Sequence, residues 1–255
     1  MRLTNYDTEQ YQDYARGRAL KDEQMAAWIG AFSALLPERP EGRPLVGLDV
    51  GSGTGRFTPA LASAFGPVTG VEPSVRMREV ALAQSQHPDV QYVAGAAEDI
   101  PVPTASADYA VLLLSLHHVQ DKPRAARELA RVVKPGGRLI IRSGYRDQMP
   151  WIWWLEHFPN GFDKDAVLFP PLHEVVETFN SAGWRVRTFS PFTEPSSGTY
   201  GEMLERLRLR THTIFNHLST EEVEIGFERL ERAVARNPDA PVPGEPAPLL
   251  SFERR

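Results

Sequence analysis

The 255-residue chain contains no cysteine. That removes disulfides, thiolate nucleophiles and cysteine-ligated zinc, and it fits a reducing compartment. No apolar run approaches the roughly 18 residues of a membrane-spanning helix. The opening MRLTNYDTEQYQDYARGR has no apolar core of the kind a signal peptide carries. A cytoplasmic protein without a membrane partner is therefore expected. Basic charge is not in excess: 28 Lys and Arg face 33 Asp and Glu, for a formal net charge of −5. With no basic stripe, a nucleic-acid partner is not expected. Metal-ligand spacing is missing too. His157, His173, His212 and His217 are scattered, and His173-Glu174 is not followed by a second histidine at helical spacing. No metal is expected.

What is present is an alternation. Residues 1–44 read as an N-terminal helical cap, with an apolar stripe at Met25, Ala26, Trp28, Ile29, Phe32 and Leu36. From residue 45 short apolar runs alternate with helical segments: LVGLDV (45–50), VTGVE (68–72), VQYVAG (90–95), DYAVLLLS (108–115) and RLIIRSG (138–144). Val- and Leu-rich runs with little polar alternation suit strands buried on both faces, so a parallel sheet covered by helices is expected. In the segment from Val75, the face carrying Val75, Arg78, Glu79, Leu82 and Ala83 reads as mixed. PWIWWLEHFP (150–159) predicts a helix opened by Pro150, with Trp151, Trp154, Leu155 and Phe158 on one face. A further helix is expected over about 200–218, with RLRLR (206–210) on its exposed side, and another after the capping box at Ser219–Glu222. WRVRTFSPF (184–192) alternates as a strand, and the tail APLLSFERR reads as a closing edge strand. The whole chain is read as one domain, with 145–170 and 198–240 as lid additions on the substrate side.

The chemistry starts at VGLDVGSGTGRF (46–57). A glycine-rich turn between a buried strand and a helix lets a ligand touch the main chain and meet free N–H groups. In a dinucleotide turn the third glycine would fall at position 56, which is Arg56; the spacing here is Gly51, Gly53, Gly55, with Asp49 just before. No Lys-Ser/Thr pair follows to make a phosphate loop. Glu72 stands 21 residues after Gly51, at the end of the second run. A carboxylate there accepts hydrogen bonds from both hydroxyls of a ribose. The ligand is therefore expected to carry a ribose next to a group smaller than a diphosphate.

Together with AGAAEDIP (94–101), DYAVLLLSLHHV (108–119) and RELARVVKPGGRLII (127–141), this order of motifs resembles the class I S-adenosylmethionine-dependent methyltransferases. The likeness is to their small-molecule branch, which includes quinone-biosynthesis and natural-product enzymes. The resemblance implies a Rossmann-like, doubly wound α/β fold with seven mostly parallel strands in the order 3-2-1-4-5-7-6. It also implies S-adenosylmethionine as cofactor and S-adenosylhomocysteine as product. Carried over by motif, Gly51, Ser52 and Gly53 line the methionine and ribose, Asp49 orients the turn or meets the amine, and Glu72 takes the ribose hydroxyls. Pro73 and Met77 pack on adenine. Ala96 stands where the family has an Asp, which leaves Ala97 and Glu98 as the adenine-side candidates. Leu114 and Ser115 flank the sulfonium, and Tyr14 and Arg18 match the N-terminal pair over the methionine carboxylate.

Transfer from a sulfonium needs alignment and a dry site more than covalent help, and a hydroxyl or ammonium acceptor also needs a base. His117 and His118, just past the fourth strand, are the candidates, His117 being slightly favoured. Tyr145, Trp151 and Trp154 are candidate walls for a small, apolar or aromatic substrate. Two alternatives stay open: a protein that binds the same cofactor without methylating, such as a cyclase, and a nicotinamide-dependent oxidoreductase.

Overall fold

The computed structural model describes residues 17–38, 42–196 and 198–255. The five apolar runs form β1 (Gly47–Val50), β2 (Val68–Glu72), β3 (Val90–Ala94), β4 (Ala107–Leu113) and β5 (Val133–Arg142). They are mutually parallel. Parallel neighbours need crossovers, and helices supply them. α1 (Asp22–Ser33) precedes the sheet, α2 (Thr58–Phe65) joins β1 to β2, α3 (Val75–Gln84) joins β2 to β3 and α4 (Lys122–Val132) joins β4 to β5; β3 passes to β4 without a helix. Beyond them come α5 (Gly161–Ala166), α6 (Leu172–Ser181), β6 (Trp184–Ser190), α7 (Tyr200–Arg208), α8 (Thr220–Val234) and β7 (Leu249–Arg254). The strand order is β3-β2-β1-β4-β5-β7-β6, with β7 antiparallel to both neighbours. The two-residue stretches Thr193–Glu194 and Glu245–Pro246 pair separately.

Strand periodicity divides the core between the two faces of the sheet. On β4, Ala110 and Leu112 join Leu129 of α4 and Phe179 of α6 in one apolar cluster. Tyr109, Val111 and Leu113, one register off, join Trp28 and Phe32 of α1 and Leu61 of α2 in the other. The turns entering the helices are capped by their own sequence. Ser74 Oγ accepts from Met77 N–H at 3.1 Å, and Asp121 Oδ1 accepts from Arg124 N–H at 2.9 Å.

Four expectations are corrected. The tail is an interior strand: β7 lies between β5 and β6, and Leu249, Leu250, Ser251 and Phe252 are all buried. In α3 the buried residues are Met77 and Ala81, an i, i+4 pair, while Val75 and Leu82 are more than half exposed. Residues 150–159 do not make one helix. A single 3-10 turn at Leu155–His157 precedes Asn160, whose left-handed φ of 53° breaks the chain direction before α5. Trp153 is buried with Trp154 there, and Trp151 is 58% exposed. The 200–218 segment is likewise two pieces. Arg210 has φ 51°, ending α7 before a second 3-10 turn at Thr213–Asn216.

The segments read as two separate additions share one apolar cluster: Trp153, Trp154 and Phe158 pack with Leu207, Phe215, Val223 and Leu230. Gly226 on α8 makes room for this, because a Cβ there would run into the Phe158 ring.

Candidate active site

The glycine turn lies at the carboxyl end of β1. All three glycines take positive φ, 73° at Gly51, 57° at Gly53 and 80° at Gly55, which L side chains rarely adopt. Their surroundings differ. A Cβ on Gly51 would stand 2.5 Å from Ser115 Cβ, and one on Gly55 would meet the Tyr92 hydroxyl and Ser85 Cβ. Gly53 has nothing within 4 Å of that position. Two of the glycines thus serve packing, and only Gly53 opens on free space.

Glu72 closes the turn from β2. Its Oε2 accepts from Gly53 N–H at 2.9 Å and its Oε1 from Ser74 N–H at 2.9 Å. A carboxylate only accepts and offers about four lone-pair directions, which is the chemistry that suits a diol. Asp49, also buried, accepts from Thr58 Oγ1 at 2.7 Å. Burial pushes its pKa up to about 6; the Thr58 bond opposes this, and Glu72 adds to it.

These residues border a cavity of about 390 Å³. Of the expected cofactor contacts, Asp49, Gly51, Ser52, Gly53, Glu72, Pro73, Met77, Ala97, Glu98, Leu114 and Ser115 all line it. Several of them also do structural work. Ser115 Oγ donates to Val50 O at 2.8 Å, and Glu98 Oε1 accepts from the amides of Gln120 and Asp121, which fixes the entry to α4. Leu114 has φ 60°, an uncommon conformation for a branched residue, where β4 leaves the sheet. Arg18 lies outside this cavity, in an adjoining one, with Nη1 3.0 Å from the ring nitrogens of His212. Tyr14 falls outside the described residues.

The paired histidines keep their rings 3.9 Å apart but meet different surroundings. His118 lines the cavity. His117 turns into the protein, its ring 4.9 Å from Phe169 in an edge-on contact, with neither ring nitrogen hydrogen-bonded. Burial holds both below the ordinary histidine range, His118 at about 4. At neutral pH both are uncharged, and His118 is the one that borders the cavity.

None of Tyr145, Trp151 and Trp154 lines the cavity. Tyr145 is fully buried beside Phe189, Trp154 packs on Phe158, Phe215 and His212, and Trp151 donates to Glu156. Arg142 and Arg206 were missed by sequence reasoning; both border the adjoining cavity. Arg206 belongs to the RLRLR stretch read as exposed, yet its Nη2 donates inward to the carbonyl of Ala19 at 3.0 Å. For Arg142 a signal existed: an arginine ending the buried run RLIIR sits at the carboxyl edge where such sheets bind ligands.

A methyltransferase-domain family model matches residues 48–141, the span from β1 to β5. The demethylmenaquinone methyltransferase of Bacillus licheniformis is 28% identical over 176 residues, covering 60% of this chain and 76% of that protein. The chloroplastic 2-methyl-6-phytyl-1,4-hydroquinone methyltransferase of Spinacia oleracea is 32% identical over 154 residues, covering 60% of this chain. This chain spans only 43% of the spinach enzyme's length. Among solved structures, a methyltransferase assigned to an antibiotic biosynthesis pathway of Anabaena variabilis shares the fold. It superposes with a TM-score of 0.73 at 23% identity, covering 90% of this chain and 97% of its own. Residues 48–141 therefore carry a methyltransferase domain, and in motif order, strand order and relatives the chain is similar to the class I S-adenosylmethionine-dependent methyltransferases.

Proposed function

We propose that this protein methylates an oxygen, nitrogen or carbon atom of a small, partly apolar or aromatic metabolite, with S-adenosylmethionine as donor. The observation that carries this reading is the carboxylate of Glu72, which accepts from Gly53 N–H and Ser74 N–H on the wall of the cavity that the glycine turn also lines. The donor set fits the cofactor. Glu72 suits a ribose diol, Met77 and Ala97 give an apolar wall for adenine, and Gly53 leaves room beside bare main chain. Asp49 stands where an amino group would find a carboxylate.

When bound, S-adenosylmethionine supplies a methyl group on a sulfonium, which needs no further activation. The residues of the chain have three tasks. Glu72 and the glycine turn orient the donor, and orientation alone contributes about 7–11 kcal/mol in well-aligned reactions. Leu114 and Met77 keep water from the reacting atoms. His118 accepts the proton of a hydroxyl or ammonium acceptor at Nδ1 or Nε2, a step worth roughly 10²–10⁴-fold when present. The names of the relatives, two quinone-precursor methyltransferases, support a small-molecule acceptor.

The test is release of S-adenosylhomocysteine from the donor with a panel of phenols, hydroquinones, aryl carboxylates and amines, alongside calorimetric titration of both cofactor forms. Saturable binding with acceptor-dependent release supports the reading. Binding without release from any acceptor favours a non-methylating use of the same site, and no binding removes the reading.

A further inference from the structure

Beside the donor cavity lies a second, more enclosed one of about 50 Å³, where β4 and β5 end. The two share Arg56, Phe57, Leu113 and Leu114 as a common wall. Four guanidiniums border the smaller space, those of Arg18, Arg56, Arg142 and Arg206, against the carboxylates of Glu194 and Glu245. The lining is therefore cationic by formal charge. The two acids do not neutralise it by pairing. Glu194 is occupied by Gln24 Nε2 at 3.0 Å and Trp28 Nε1 at 2.6 Å. Arg18, Arg142 and Arg206 form no ion pair with any acid among the described residues.

Their donors are also underused. Arg18 and Arg206 each keep a buried Nε without a partner, and the Arg142 side chain makes no hydrogen bond among the described residues. Burial, reinforced by Arg18, pulls the Arg142 pKa down, and burial pushes Glu245 up. Buried, unpaired guanidiniums are costly to keep, and an anion presented to them removes the cost. At about 50 Å³ the space is on the scale of a single small anionic group.

Resting on the methyl-transfer reading above, we propose that this arginine pocket receives the anionic group of the methyl acceptor. The acceptor is then a small apolar or aromatic carboxylate or phosphate whose body crosses Leu114 toward the donor cavity. Arg142 at the end of β5 and Arg206 on α7 are its specificity-determining residues.

The test uses the full chain saturated with S-adenosylhomocysteine and follows thermal unfolding against acetate and inorganic phosphate, with acetamide as the neutral control. At least one anion raises the melting temperature saturably and acetamide does not. Arg142→Met raises the half-saturating anion concentration by about tenfold or more, as expected for a lost charge-assisted contact. The same variant keeps its affinity for S-adenosylhomocysteine within about threefold and melts, without anion, at or above the parent temperature. Should Arg142→Met fail to fold, Arg206→Met carries the same comparison.

The proposal falls if no anion shifts the loaded parent protein, or if Arg142→Met leaves the shift intact. It also falls if Arg142→Met weakens S-adenosylhomocysteine by about tenfold while 5′-methylthioadenosine, which lacks the carboxylate, binds as before. The pocket then belongs to the donor's amino-acid end, and the methyl-transfer reading survives. If the parent chain binds no S-adenosylhomocysteine at all, it is that earlier reading which fails, and the anion titration of the free chain still reports on the pocket.

Discussion

Glu72→Gln is the most discriminating single change, because it keeps shape and removes charge. In the parent, one carboxylate accepts from Gly53 N–H and from Ser74 N–H, both at 2.9 Å. A glutamine has one acceptor oxygen, so its amide nitrogen must confront one of these two donors. A hydrogen bond to a charged group is worth about 1.5–3 kcal/mol, and an unsatisfied buried donor costs about 1–3 kcal/mol. The variant is expected to lose about 2–4 kcal/mol of unfolding free energy. The ligand loses a ribose contact as well, so the affinity for S-adenosylhomocysteine drops by about 10–100-fold. 5′-Methylthioadenosine, which retains the ribose and lacks the amino acid, suffers the same fold-change. Urea unfolding and calorimetric titration measure the two effects independently. If stability falls and both ligands bind within about threefold of the parent, Glu72 only braces the turn, and the assignment of the ribose to this carboxylate is wrong.

The remaining predictions concern other parts of the site. With an acceptor whose reacting group is a hydroxyl, His118→Gln lowers kcat/KM by about 10²–10⁴-fold, whereas the acid limb of the parent pH–rate profile falls off near pH 4 and not near 6.5. Asp49 has a folded-state pKa of about 6 against 3.8 unfolded, so the proton it holds favours the fold fully below pH 3.8, and that contribution is lost as pH rises through 6. Asp49→Asn should therefore unfold with up to about 3 kcal/mol more free energy than the parent at neutral pH, a gain that vanishes toward pH 4 in urea titrations. Gly55→Ala places a methyl on Tyr92 and Ser85 at φ 80° and costs about 2–5 kcal/mol of stability. Gly53→Ala meets nothing at φ 57°, costs about 1–2 kcal/mol, and weakens S-adenosylhomocysteine more than it weakens the fold.

The fold was legible where local pattern and tertiary role coincide. Runs such as VTGVE and DYAVLLLS are apolar throughout because both faces of a central parallel strand are covered, and all of β2 is buried. Legibility failed where an apolar residue could satisfy more than one geometry. Four apolar side chains over 150–159 fit a helical face, but the tryptophans fill a cluster reached from two directions, and Pro159 with Asn160 redirects the chain. α7 ended early for a backbone reason, a left-handed Arg210 that no periodicity marks. In the site, the glycines and Glu72 stood out because few residues tolerate those positions. Which of His117 and His118 borders the cavity was not legible, since their rings lie 3.9 Å apart in one 3-10 turn and only the surrounding packing decides it. The inward turn of Arg206 was hidden for a related reason: a long side chain on an exposed-looking stripe can reach back over a helix end to carbonyls at 17 and 19.

The three glycines of GSGTG follow from one requirement distributed over three neighbours. The turn must bring β1 into α2 tightly enough for Gly53 N–H to reach Glu72 on the adjacent strand. Ser115 presses on one side of that turn at Gly51, and Tyr92 with Ser85 presses on the other at Gly55. Both are held in place: Ser115 Oγ donates to Val50 O, and Tyr92 Oη donates to Ser85 O. The middle glycine is left over the cavity with its N–H already committed to the carboxylate that the proposed function assigns to the ligand's ribose. On the proposed function, folding of the turn and binding of the nucleoside draw on the same atoms. A ligand at about 100 times its dissociation constant adds about 2.7 kcal/mol to unfolding. In this protein that increment should appear first as slowed amide exchange at Gly53 and Ser74, the two amides that donate to Glu72.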